Sequence, residues 1–295
     1  MRIGKWTRPG GEVGPAELVL RLTAIELLLR PMGPWFIKPF VLLLAGLALV
    51  APQVLRAPVT WLALALLVAG RLIADWPLPD NHIYLLAYWC LAAGLALQAP
   101  DIRSPLALTA RLLIGFAFFF AVSWKALLSP DYLDGRFFRV TLLTDERFAD
   151  AVLLFGGLSQ KQLAENRQYL EPLPEGAELL HPPELVEPAA FQALVLLSTW
   201  GTLLIEAAIA VLFLLKVRGA LATARHALLL LFCVATYAFA PVAGFGWLLL
   251  VMGLAQCREQ EIWLRRSYVT VYFLVLIYSE VPWAAVALRG LGPLG

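Results

Sequence analysis

Three groups of ionisable side chains lie inside, or at the edge of, long apolar stretches of this sequence. They are the segment Asp75–His82, Lys125 and Glu206. An ionisable side chain within a membrane-spanning segment is costly, so such residues mark a functional site by default. A lysine in apolar surroundings loses proton affinity and can act as a neutral base near pH 7. A nearby histidine, here His82, can orient a substrate or relay the proton.

Each of these residues also has a plainer interpretation. Lys125 could extend its ammonium group to the membrane interface. His82 could cap the start of its helix together with Asn81. Glu206 could be an ion-pair or hydrogen-bond partner between helices, and we expect its carboxylate to face the protein interior beside a polar group. Trp76 could anchor its segment at the interface.

Geometry links His82 to Lys125. The apolar stretches 82–98 and 107–128 predict a helical hairpin whose turn is centred near residues 103–104. His82 precedes that centre, and Lys125 follows it, by about 21–22 residues, or roughly 32 Å at the rise of an α-helix. The two side chains are therefore expected at a similar depth, in one pocket on the side of the polar segment 129–190.

Composition and the length of the apolar stretches indicate an integral membrane protein. Hydrophobic residues make up 61% of the 295 residues and charged residues 15%, whereas soluble domains have roughly 25% charged residues. The net charge of +2 gives no reason to expect nucleic acid as a partner. Residues 1–295 are predicted to form one all-α, multi-pass bundle of about eight spans in the lipid bilayer of the cell membrane. The predicted spans are 35–52, 58–74, 82–98, 107–128, 191–215, 226–240, 242–256 and 268–288.

Two segments outside the spans have patterns of their own. Residues 15–30 combine charges with apolar residues at helical spacing, which predicts an amphipathic helix on the membrane surface. The polar segment 129–190 is predicted to form an extramembrane, partly helical cap. Its stretch 138–157 is apolar enough for an amphipathic helix, and its proline-rich stretch 172–188 predicts an extended loop. A connection of this length can cover a pocket.

Basic residues are concentrated in two later connections. Lys216, Arg218 and Arg225 follow the fifth predicted span, and Arg258, Arg265 and Arg266 follow the seventh. The excess of Lys and Arg in cytoplasmic loops predicts that both connections are cytoplasmic. With eight spans this orientation places the basic N-terminus outside, against the same rule, so either one span is miscounted or the N-terminus breaks the rule. The cysteines have neither a CxxC partner nor a metal-like spacing with the histidines, so no metal site is predicted.

Four motifs in order resemble those of a known family. They are Trp76 with Asp80-Asn81-His82-Ile83-Tyr84-Leu85; Phe116–Trp124 followed by Lys125 and Asp131–Gly135; Gly201–Glu206; and Gly244–Trp247. Over residues 20–280 the sequence is similar to the HTTM domain, the transmembrane domain of vitamin K-dependent gamma-carboxylase and its bacterial relatives.

The resemblance implies a membrane enzyme that uses a reduced quinone, namely vitamin K hydroquinone or menaquinol. The position of Lys125 implies the base that deprotonates the hydroquinone, with Asn81 and His82 in the same pocket. Dioxygen then adds, and the epoxidation generates a strong base that allows carbon dioxide to carboxylate a peptide glutamate. The same motifs supply Trp76, Tyr84, Trp124 and Glu206 as residues expected to bind the quinone.

The sequence departs from the family in ways that leave a second hypothesis open. The stretch Phe232–Tyr237 lacks the histidine that the family usually has there, and no large extramembrane domain is expected after residue 288. These departures favour a non-enzymatic membrane protein that binds a lipid or quinone, or supports a partner protein. Retention of Asn81, His82 and Lys125 favours the enzyme, whose partners are a lipid-soluble quinone and a peptide or protein substrate.

Overall fold

The described parts of the chain contain helices and no strand, which confirms the predicted all-α class. The computed structural model describes residues 14–30, 33–77, 80–172, 175–176, 178, 181, 184–239 and 244–280. A π-helical turn (Trp124–Leu128) extends the helix Arg103–Ser123, and a 3₁₀ turn (Glu146–Phe148) precedes the helix Ala149–Phe155. The α-helices are α1 (Pro15–Leu29), α2 (Lys38–Val50), α3 (Pro52–Leu55), α4 (Pro58–Ala74), α5 (Asn81–Ala96), α6 (Arg103–Ser123), α7 (Pro130–Leu133), α8 (Arg136–Thr144), α9 (Ala149–Phe155), α10 (Gln160–Leu170), α11 (Ala189–Leu214), α12 (Ala220–Phe239), α13 (Phe245–Ala255) and α14 (Ile262–Glu280).

Three of the described helices are long and apolar enough to cross a membrane. They are Arg103–Leu128, Ala189–Leu214 and Ala220–Ala238. Each of the eight predicted spans overlaps a helix, although α2, α4 and α13 are shorter apolar helices. The chain therefore has the helices of a membrane protein, and the number of crossings stays a prediction. The connection 240–243 and the predicted end of the last span, 281–288, lie outside the described residues.

The chain divides into two compact units. The first comprises the described residues of Met1–Ala117, Ile209–Val234 and Val242–Leu276. Its centre is α13, in which every residue from Gly246 to Leu254 is buried. The second comprises the described residues of Phe118–Ala208, Ala235–Pro241 and Ile277–Gly295. The prediction of a single domain over 1–295 stays a prediction.

Helix α1 is confirmed as a helix, and it is deeply buried in the first unit. Pro15 occupies its first turn, where the missing N–H is not needed. Nine of its fifteen residues are buried, more than the single face that a helix lying on a membrane would cover. Polar contacts tie it to other helices: Trp89 Nε1 donates to Thr23 Oγ1 at 3.0 Å, and Tyr272 Oη donates to the Leu22 carbonyl at 3.0 Å. Its predicted place on the membrane surface stays a prediction.

Helices α4 and α5 approach each other closely at a glycine. A Cβ at Gly94 would lie 2.9 Å from Leu62 Cδ2 and 3.2 Å from the Leu62 backbone nitrogen. Small residues permit such close packing of membrane helices, where dispersion contacts rather than water exclusion hold helices together.

Replacing Gly94 with Ala should therefore lower the apparent melting temperature of the purified protein. The higher helix propensity of alanine stabilises the helix by about 1 kcal/mol. Overpacking against Leu62 destabilises the folded protein by about 1–3 kcal/mol, so the net change in the free energy of unfolding is a loss. Gly46→Ala in α2 is the matched control, because nothing lies within 4 Å of its added Cβ, and it should keep or raise the melting temperature. Equal shifts for the two variants would contradict the close approach.

The second unit folds the predicted cap around a small core of its own. Seven buried apolar residues from the cap and the start of α11 pack together: Leu142, Leu143, Val152, Leu158, Leu163, Phe191 and Val195. The cap is partly helical as predicted, but the single amphipathic helix expected over 138–157 is wrong. The Asp145 carboxylate accepts the Arg147 N–H at 3.0 Å and breaks the segment into α8, a 3₁₀ turn and α9.

The described residues 184–188 at the end of the cap have no regular secondary structure, which agrees with the predicted loop. Asn166, which is fully buried in α10, fixes this segment. Its side-chain amide donates to the Val186 carbonyl at 2.9 Å and accepts the Val186 N–H at 2.9 Å. Because α11 begins directly after this segment, the cap is held against the helix that carries Glu206.

Candidate functional site

Lys125 lies in the π-helical turn that ends the long helix begun by α6. The turn follows Ser123 without a break, and Pro130 begins α7 after Ser129. A proline disfavours helical backbone in the residue before it, and Ser129 has left the helical region, with φ −128° and ψ 78°. Single π-helical turns within α-helices occur frequently at functional sites, because the extra residue redirects the side chains around it.

Glu206, on α11, binds Lys125 directly. Lys125 Nζ lies 2.6 Å from Oε1 and 2.6 Å from Oε2 of Glu206. The side chains are 22% and 9% exposed, respectively. The prediction that Glu206 has a polar partner in the protein is thus confirmed, and Lys125 is the partner. The ammonium group of Lys125 is engaged by this carboxylate, which the interface-anchor interpretation does not require.

Tyr132 completes the surroundings of the ion pair. Its side chain is buried, with 3% exposed, and Lys125 Nζ lies 5.1 Å from the centre of its ring, within the range of a cation–π contact. Tyr132 Oη makes no hydrogen bond of standard geometry to the described residues, although the Thr202 side chain is close enough to interact with the phenol. Burial, and then the Glu206 carboxylate, raise the pKa of Tyr132. The phenol therefore remains a hydrogen-bond donor at neutral pH.

A tight turn after α7 holds Tyr132 in place. Gly135 has φ +83°, a conformation that L side chains rarely adopt, and it allows the chain to reverse into α8. Beyond this turn, Phe137 and Phe138 pack against the Tyr132 ring at centroid distances of 5.4 and 5.6 Å. Tyr132 was not predicted as a site residue. The sequence shows an aromatic residue shortly after Lys125 and before a glycine. This pattern does not predict that the phenol is buried without a hydrogen-bond partner.

The remaining predicted site residues take positions at the ends of their helices. Trp124 is 64% exposed beside Lys125 in the second unit, and Trp76 is 72% exposed in the first. Asn81 is exposed, and His82 and Tyr84 are half-buried, in the first turn of α5. The N-cap of α5 is Asp80, and no side chain makes a capping hydrogen bond there. The interpretation of His82 and Asn81 as a helix cap is therefore wrong.

The hairpin on which the equal depth of His82 and Lys125 depends has a different turn. α5 ends at Ala96 and α6 begins at Arg103, so the centre lies several residues before 103–104. His82 is 14 residues before the end of α5, and Lys125 is 22 residues after the start of α6. These spacings correspond to about 21 Å and about 33 Å of helix. Equal depth no longer follows from the spacing, and a pocket shared by the two residues stays a prediction.

The pair of Lys125 and Glu206 can hold a proton between an amine and a carboxylate. Tyr132 adds a hydrogen-bond donor, so a ligand oxygen at this site could meet both an ammonium group and a phenol. Such a site suits a ligand with an acidic hydroxyl group. Among the described residues, no group of three or more His, Cys, Asp or Glu side chains could hold a metal ion. No protein-family model, curated protein or solved structure matches the chain.

Proposed function

We propose that this chain is a multi-pass membrane protein of the HTTM type that binds a reduced quinone beside Lys125 and Glu206 and deprotonates it. The observation that supports the proposal is the ion pair of Lys125 with Glu206, which lies beside the unpaired phenol of Tyr132. In this proposal eight helices cross the cell membrane, and the quinone reaches the site from the lipid.

Lys125 is the proton acceptor in the proposed reaction. Its ammonium group first transfers a proton to the Glu206 carboxylate, which lies at hydrogen-bond distance. The neutral amine then accepts the proton of a quinol hydroxyl, and the resulting ammonium stabilises the oxyanion. Tyr132 donates a hydrogen bond to the same oxygen. The quinol supplies the electrons that reduce dioxygen, of which one oxygen atom enters the epoxide and the other leaves as water.

Trp124 keeps its proposed role in binding the quinone beside Lys125, and Asn81, His82, Trp76 and Tyr84 keep the roles that the family resemblance implies. The exposed ring of Trp124, adjacent to Lys125, offers a flat apolar surface to a quinone ring. Vitamin K hydroquinone and menaquinol are the proposed forms of the quinone. Carboxylation of a peptide glutamate with carbon dioxide is the step proposed to be coupled to the epoxidation, because the family resemblance implies it.

A second candidate function is a non-enzymatic membrane protein that binds a lipid or quinone, or supports a partner protein. One observation favours it: both oxygens of Glu206 are within hydrogen-bond distance of Lys125, so the ion pair is satisfied without a ligand. A satisfied pair between two helices can serve only to fix their packing.

The test is quinol-dependent oxygen uptake, together with epoxide formation, by the purified protein supplied with vitamin K hydroquinone or menaquinol. We expect uptake by the natural protein and its loss in Lys125→Ala, by about 10²-fold or more, because the general base is removed. Lys161→Ala in the cap is the matched control, since Lys161 is 86% exposed in the same unit. Quinol binding without oxygen uptake would support the second candidate. Absence of both quinol binding and oxygen uptake would overturn the quinol chemistry and leave only a second candidate that binds another lipid or supports a partner protein.

A further inference from the structure

The first unit contains a cluster of arginines near the α11–α12 and α13–α14 connections. Arg225 lies early in α12, Arg265 lies early in α14, and Arg111 lies in α6. Arg225 is close enough to Arg111 for the two charges to interact, and the Cys257 thiol interacts electrostatically with both Arg225 and Arg265. Arg225 thus lies near Arg111, and Arg225 and Arg265 both lie near Cys257.

Arg225 is held in a fixed orientation by aromatic neighbours. Its guanidinium lies 5.2 Å from the centre of the Phe213 ring, and its Nη2 lies 3.3 Å from His226 Nε2. A guanidinium only donates hydrogen bonds, so His226 Nε2 is the acceptor and the imidazole proton is on Nδ1. His226 Nδ1 then donates to Tyr268 Oη at 2.8 Å. His226 and Tyr268 are both buried, which gives Arg225 a rigid support.

Arg111 shares this support from its other side. Its Nη1 donates to the carbonyls of Phe213 and Leu215, both at 3.2 Å, and so caps the end of α11. Phe213 thus contacts Arg111 through its backbone and Arg225 through its ring. The two cations are fixed near each other although like charges repel.

Protein carboxylates do not neutralise this cluster. Within the described ranges, Arg111, Arg225 and Arg265 form no ion pair with a carboxylate, and Nε of Arg225 and Nε of Arg265 lack hydrogen-bond partners. Glu261 attracts Arg225, but its Oε2 accepts the Arg258 N–H at 2.7 Å. Glu259 pairs with Arg103 at 2.7 Å. Glu261 therefore attracts the cluster without forming a salt bridge with it, and Glu259 is paired with Arg103.

An anion with several oxygen acceptors is the ligand that fits such a cluster. Phosphate oxygens bind guanidinium groups through short, charge-assisted hydrogen bonds. Basic pockets between membrane helices on the cytoplasmic side bind anionic lipid head groups. Arg225 and Arg265 are both half-buried. Arg225 lies near the start of Ala220–Ala238, a helix long and apolar enough to cross a membrane, and the end of such a helix is at the depth of the lipid phosphates.

We infer that Arg225, Arg265 and Arg111, supported by His226, Tyr268 and Phe213, form a binding site for the phosphate head group of an anionic phospholipid. The inference is independent of the quinone chemistry proposed for Lys125. The site lies on the side that the basic connections assign to the cytoplasm.

Native mass spectrometry of the full-length protein, released from micelles that contain phosphatidylglycerol and phosphatidylcholine, tests the site. The natural protein should retain phosphatidylglycerol preferentially. Arg225→Gln/Arg265→Gln should weaken that retention by about tenfold or more, because two charge-assisted hydrogen-bond donors are lost. The control Arg218→Gln/Arg266→Gln removes the same charge from exposed positions of the same connections and should change retention by less than about twofold.

Further arms separate the alternatives. Arg225→Lys/Arg265→Lys keeps the charge but not the guanidinium geometry and should also weaken retention, which excludes a purely surface-charge effect. Equal retention of the two lipids by the natural protein would overturn the inference, whether or not the variants fold. Equal losses for both glutamine double variants would also overturn it. Inorganic phosphate that binds at millimolar concentration, without any lipid preference, would assign the cluster to a soluble anion and overturn the lipid proposal.

Discussion

Replacing Lys125 with Arg is expected to abolish quinol-dependent oxygen uptake while leaving the protein folded. An arginine keeps a positive charge and can still pair with Glu206, which lies 2.6 Å from Lys125 Nζ. A guanidinium does not give up its proton in proteins, so it cannot accept one from a quinol. We therefore expect a loss of about 10²-fold or more, as for removal of a general base. The measurement is oxygen consumption at matched protein concentrations.

The same substitution separates the catalytic and structural interpretations of Lys125. If Lys125 serves only as an interfacial or pairing charge, arginine should function as well as lysine. Lys161→Arg, an identical change at an exposed position of the second unit, controls for the extra bulk. Full activity of Lys125→Arg would show that proton transfer by this residue is not part of the reaction.

The positions of the long helices could be predicted because a bilayer imposes a strong pattern on sequence. The apolar stretch 58–74 coincides with α4, and the stretch 191–215 lies within two residues of the ends of α11. The cap was predicted less well, since its short helices depend on local side-chain hydrogen bonds. α10 was missed even though Ser159 and Gln162 form a reciprocal capping box at its start.

The candidate site could be predicted from the sequence only in part. The cost of charge in an apolar segment identified Lys125 and Glu206 separately. Their contact joins residues 81 positions apart and depends on how α11 packs in the second unit, which no spacing rule provides. The surroundings of the Tyr132 hydroxyl, which is buried without a hydrogen-bond partner among the described residues, likewise depend on tertiary packing. Equal depth of His82 and Lys125 does not follow from the structure, because α5 ends at Ala96 and α6 begins at Arg103, whereas the apolar pattern predicts these bounds at 98 and 107.

Removing one member of the ion pair should destabilise the protein far more than removing both. Glu206→Leu leaves the Lys125 ammonium beside apolar groups, and Lys125→Met leaves the Glu206 carboxylate without a partner in a site where it is only 9% exposed. Breaking one side of a buried pair costs about 3–5 kcal/mol, whereas replacing both sides by apolar residues of similar volume is often neutral. The double variant Lys125→Met/Glu206→Leu should therefore melt near the temperature of the natural protein.

This comparison also determines what the pair is for. Thermal unfolding of the natural protein, the two single variants and the double variant in one detergent gives the coupling energy between the two side chains. If the side chains are in contact, the effect of the double variant differs from the sum of the two single effects. Lys161→Met, which breaks an exposed pair with Glu165 at 3.8 Å, should leave the melting temperature unchanged. Additive losses in the double variant would contradict the ion pair itself. A double variant that is stable but has no oxygen uptake would show that the fold does not need these two charges, so that their presence in an apolar helix pair is explained by chemistry.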